Sequence, residues 1–86
     1  MQYFSPYQRV KLIAMQTKMV EIEGNKYLFA YYPSTDSNAG RIDIGGSGAS
    51  ILSIDAIEGS EHEILGLKIV VKEVHPDYVI ILVKPL

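Results

Sequence analysis

The segment Leu67-Lys68-Ile69-Val70-Val71-Lys72-Glu73-Val74, then His75-Pro76-Asp77, then Tyr78-Val79-Ile80-Ile81-Leu82-Val83 decides the fold class. Both flanks are short, unbroken and rich in β-branched residues, the pattern of strands rather than of amphipathic helices. Pro76 brings the fixed φ of a turn's first central position, and the Asp77 side chain is suited to cap such a turn. A hairpin with a three-residue loop is expected. It sets Val71 opposite Ile81 and Ile69 opposite Val83, so Leu67, Ile69 and Val71 share a core face with Val79, Ile81 and Val83. The reverse face carries Lys68 and Lys72 but also Val70, Val74, Tyr78, Ile80 and Leu82. The final strand is therefore apolar on both sides, whereas a single antiparallel layer leaves one side wet. It requires a second dry neighbour, supplied by a closed barrel, by the N-terminal segment or by another subunit.

A second hairpin runs from Lys18 to Tyr32, with Gly24-Asn25 as a two-residue turn. That turn places Glu23 opposite Lys26, Ile22 opposite Tyr27, Glu21 opposite Leu28 and Val20 opposite Phe29. One face then holds Val20, Ile22, Tyr27, Phe29 and Tyr31, and the other Glu21, Glu23 and Lys26 with Leu28 and Ala30. A slip of one residue would mix the two sets, so the facing is well specified.

The remaining segments read as short strands with small connections. Val10–Met15 is a strand, Pro33 to Gly40 is a polar loop, and Arg41-Ile42-Asp43-Ile44 alternates cleanly before Gly45-Gly46-Ser47-Gly48 interrupts it. Ser50–Ile57 reads as a strand by its β-branching, with a short helical stripe as the alternative. Glu58-Gly59-Ser60 is a turn. Glu61–Leu65 leads into the long strand, with Gly66 as a bulge or bend. The expected architecture is all-β: a small barrel or compact sandwich of six to seven mostly antiparallel strands. It forms one domain over residues 1–86, with residues 1–8 as an aromatic arm or edge segment.

The chain has 86 residues, no cysteine and a net charge of −2. Disulfides and thiolate metal sites are excluded, and the charge argues against general affinity for phosphate backbones. A domain this small has little stability in reserve, so packing or an oligomer interface must hold it. No apolar run approaches the ~18 residues of a membrane helix, and the first residues lack a signal-peptide layout. The expected location is cytoplasmic.

Residue types that carry chemistry are present but scattered. His62 and His75 flank the long strand, and Glu61-His62-Glu63 alternates faces as a strand, which weakens it as a chelate. Asp55, Glu58, Glu61 and Glu63 lack the spacing of a calcium loop and read as a solvated acidic edge. No metal, cofactor or catalytic set is implied. The leading expectation is a non-enzymatic interaction or assembly module, a homo-oligomer or the binder of a protein partner. Its interface would comprise Val70, Val74, Tyr78, Ile80 and Leu82 on the C-terminal hairpin. One alternative is a barrel binding single-stranded nucleic acid through Arg9, Lys18, Lys26, Tyr32 and Arg41, since stacking aromatics amid bases suit that task. Another is a small-ligand or hydrolytic site at the Gly45–Gly48 loop, whose backbone amides could cradle an anion.

Overall fold

The computed structural model describes residues 6–35, 40–46, 48 and 50–86. Among them there are strands and no helix: β1 Gln8–Ile13, β2 Thr17–Ile22, β3 Asn25–Pro33, β4 Gly40–Gly46, β5 Leu52–Asp55, β6 Glu61–Ile64, β7 Leu67–Val74 and β8 Tyr78–Pro85. They build two antiparallel four-stranded sheets, ordered β1-β8-β7-β6 and β2-β3-β4-β5. Every strand but one follows its neighbour in sequence, and β8 returns to pair with β1. The order is that of an up-and-down barrel, but two seams stay unpaired, so the barrel is not closed. These seams lie between β1 and β2 and between β5 and β6.

One core lies between the two inner faces. It takes Val10 and Leu12 from β1, Val20 and Ile22 from β2, Phe29 and Tyr31 from β3, and Ile42 and Ile44 from β4. Ile54, Ala56, Leu67, Ile69, Val71, Val79, Ile81 and Val83 complete it. The alternating faces expected of both hairpins are thus the observed ones, Val74 excepted.

The turns differ from the sequence reading in three places. First, the β2–β3 turn is Glu23-Gly24, with Ile22 opposite Asn25. Both turn residues have positive φ, 49° and 81°, as a type I′ turn requires. The pairing moves by two positions in total, so side chains keep their faces. This register sets Glu21 beside Lys26 and Met19 beside Leu28, matching charge with opposite charge and apolar with apolar. The expected register would have put Leu28 beside Glu21.

Second, Gly66 does not bend a long strand. The chain reverses at Leu65-Gly66, again with positive φ at both residues (53° and 75°), and Ile64 pairs with Leu67. Glu61–Ile64 becomes a strand of its own, which makes eight strands instead of six or seven. Third, Val74 pairs with Val79 and His75 with Tyr78, leaving a two-residue turn of Pro76-Asp77. The surplus residue is absorbed at Lys72 as a bulge between the Val71–Ile81 and Glu73–Ile80 pairs. The bulge turns Val74 inward, where it packs against the core, so Val74 leaves the reverse face on which the three-residue loop placed it.

Backbone bonds tie the two sheets across both seams. Between β1 and β2, Met15 adopts a left-handed φ of 66°. Its amide donates to the Tyr31 carbonyl at 2.9 Å, while the Ala14 amide donates to the Asp77 carbonyl at 2.9 Å. Between β5 and β6, the Ala56 amide donates to Gly40 and the Gly59 amide to Val71. Each connector therefore reaches both layers.

Candidate functional site

The outer face of the first sheet (β1-β8-β7-β6) is covered largely by its own chain. Ile80, apolar on the reverse side of β8, is only 1% exposed. It lies between Lys11 of β1 and Glu73 of β7 in register. The Lys11 ammonium stands 4.5 Å from the centroid of the Tyr78 ring, and the His75 ring stacks on the same Tyr78 at 4.4 Å. At the other end the Lys84 ammonium is 5.3 Å from the Tyr7 ring centroid, so the segment before β1 lies against this sheet. Glu61 bonds Lys68 at 3.1 Å; that hydrogen bond, and then the carboxylate charge, hold the ammonium above its usual pKa. Long amphipathic side chains thus roof the greasy middle of the sheet. Val70, Tyr78 and Leu82 are half-buried there, and the second dry neighbour of β8 comes from within the chain.

The outer face of the second sheet (β2-β3-β4-β5) is different. Met19 of β2 is opposite Leu28 of β3, and Leu28 is opposite Gly45 of β4. Ile51, just before β5, has its Cγ1 3.5 Å from where a Cβ on Gly45 would stand. These four positions form one row across the sheet. Three of them carry exposed side chains: Met19 is 61% exposed, Leu28 47% and Ile51 71%. Leu28 stands as a ridge between two hollows. One, of about 200 Å³, is bordered by Leu28, Ala30, Tyr32, Asp43, Gly45 and Ile51. The other, of about 230 Å³, is bordered by Met19, Lys26, Leu28, Gly45 and Gly46. Gly45 borders both, and its missing side chain opens the space between them.

Polar groups rim the row, and three of them, Arg41, Asp43 and Ser53, are bonded to one another. Arg41 Nε donates to Asp43 Oδ1 at 2.9 Å, and Ser53 Oγ donates to the same oxygen at 2.7 Å. The Arg41 guanidinium lies 4.8 Å from the centroid of the Tyr32 ring. On the far side of the row Lys26 stands opposite Glu21 in the β2–β3 register.

The residues expected to bind single strands are divided. Lys26, Tyr32 and Arg41 share this outer face by register. Arg9 lies on the outer face of the other sheet, beside Leu82. Lys18 sits at the β1–β2 seam, its ammonium 3.4 Å from the Lys11 carbonyl oxygen. Of the Gly45–Gly48 loop, Gly45 and Gly46 belong to β4 and extend it, while Ser47 lies outside the described residues, as do residues 1–5 of the expected arm.

The two histidines stay apart in the fold. His62 is within 3.0 Å of Ser60 Oγ, and His75 pairs with Glu73 at 3.3 Å. Among the described residues no three His, Asp or Glu side chains stand together as a metal site would need. No protein-family model, curated protein or solved structure matches the chain.

Proposed function

We propose that the chain is a non-enzymatic interaction module whose recognition surface is the outer face of β2–β5, with an apolar protein surface as its partner. One observation carries this reading: the row Met19–Leu28–Gly45–Ile51, mid-strand on β2 and β3 and at the end of β4, lies open on a sheet whose opposite face is the core. Interior strands normally present polar residues to water, and an aligned apolar row rimmed by polar groups is a usual mark of an interaction site. The two hollows beside Leu28 have room for apolar side chains of a partner but are smaller than the cavities that enclose drug-sized ligands. The C-terminal hairpin favoured by the sequence is the weaker candidate, because Ile80 is already dry inside the chain. Nucleic-acid binding is weaker too, since Arg41 is engaged by Asp43 and Arg9 faces away.

The test is binding of an apolar fluorescent dye such as bis-ANS. The wild-type chain should bind it, Leu28→Lys should abolish binding while the protein stays folded by circular dichroism, and Leu82→Lys on the other sheet should not. Equal dye binding by wild type and Leu28→Lys would overturn the reading.

A further inference from the structure

The relief of this face identifies its occupant more closely, given the reading just proposed. Gly45 is the penultimate residue of β4, paired with Leu28 of β3 and one position past the last β4–β5 pair, Ile44–Leu52, and glycine within a strand weakens the sheet. Neither usual reason for a glycine applies. Its φ lies outside the left-handed range, in contrast to Gly24, Gly48, Gly59 and Gly66. A Cβ at Gly45 would meet just Ile51, at the ordinary contact distance of 3.5 Å. What the glycine provides is the hollow itself; the β3–β4 register runs through Gly45 without a bulge, which leaves close approach by another backbone or a ligand among the roles of a strand glycine. The row then reads, from β2 to β5, as projecting, projecting, empty, projecting.

We infer that the occupant is a second copy of this chain, docked face to face about a twofold axis that runs parallel to the strands between β3 and β4. Such an axis lays β3 on the partner's β4 and β2 on the partner's β5, with each cross-strand row over itself. Leu28 of each copy enters the hollow over the partner's Gly45, and Met19 meets the partner's Ile51. The same operation sets Tyr32 against the partner's Arg41, a pairing each copy already makes internally at 4.8 Å, and cation–π contacts strengthen when water is excluded. Asp43 faces the partner's Ala30 and keeps its bonds to Arg41 and Ser53. In these rows no like charges meet. A twofold perpendicular to the strands would set Leu28 on Leu28 and Gly45 on Gly45, ridge against ridge. Self-complementarity of this kind is what a closed twofold dimer requires, and aligned sheets stack in this way at about 10 Å.

The chain has no cysteine, so thiols can be introduced singly. Sedimentation equilibrium of the wild type up to about 1 mM should show a monomer–dimer equilibrium, the affinity regime of weak interfaces. Gly45→Leu, which fills the hollow, should weaken dimerisation at least about tenfold, as loss of a central contact does. Gly45→Ala should weaken it less, with denaturant midpoints showing that both variants remain folded. Met19→Cys mixed with Ile51→Cys should form a disulfide-linked dimer on oxidation in greater yield than either variant alone. A wild type that stays monomeric overturns the second copy as occupant. So does a dimer indifferent to Gly45→Leu, or one whose mixed thiols link no better than like with like. If a monomeric wild type still binds bis-ANS and loses it on Leu28→Lys, the face remains an interaction surface and its occupant is another protein. If dye binding fails as well, both readings fall.

Discussion

Tyr31 buries its ring in the core and directs its hydroxyl to the carbonyl of His75, 2.8 Å away in the β7–β8 turn. A β3 side chain thereby holds a turn of the other sheet. Replacing it by phenylalanine keeps the ring but strands the carbonyl, and should cost about 1 kcal/mol in urea unfolding. Burial first, and then the Asp77 carboxylate, push the phenol above its ordinary pKa of 10.0. The unfolded chain therefore releases this proton at lower pH than the native one. Stability from this group is complete below pH 10 and falls as pH rises past it. Stability of Tyr31→Phe should decline less steeply above pH 10, and equal slopes would refute the assignment. Met15 offers the opposite lesson. Its φ of 66° is unfavourable for a side chain that is 70% exposed, so Met15→Gly should raise stability by about 0.5–1 kcal/mol in the same assay.

Hairpins show how far the sequence could be read and where it stopped. Period-two alternation assigned the core faces of β2, β3, β8 and of β7 as far as Val71, because facing survives any shift of even register, whereas the one-residue bulge at Lys72 reversed Val74. Turn position does not leave so clear a mark. Gly24 suits either Gly24-Asn25 or Glu23-Gly24, and glutamate is an unusual residue for the positive φ it adopts. Reading Gly45-Gly46 as a break also hid the candidate site. Arg41, Asp43 and Gly45 alternate outward along β4, and continuing that alternation through the glycines would have brought Gly45 beside Leu28. The bulge at Lys72 accommodates one residue more than its partner strand. Deleting Lys72 leaves the pairs Val71–Ile81, Glu73–Ile80 and Val74–Val79 intact and should cost no more than about 2 kcal/mol. Deleting Val70 instead throws the preceding residues onto the wrong faces and should leave no cooperative unfolding transition. If the two deletions prove equally damaging, the assignment of the bulge is wrong.

Over the whole molecule, the strand order is a ring opened at two seams, with connectors at 14–16 and 56–60 bonded to both layers. Pairing of β1 with β8 joins residues at the two extremes of the sequence. Such distant contacts slow folding, so refolding in stopped-flow should fall in the millisecond-to-second range, and microsecond refolding would contradict this topology. The same pairing bears on biosynthesis. The β2–β5 meander has all its partners as soon as it leaves the ribosome, whereas β1 must wait, unmatched, for the eighth strand to be translated. At ~5–20 residues per second that interval lasts several seconds, during which a newborn Val10 and Leu12 have no mate and a chaperone has its opportunity.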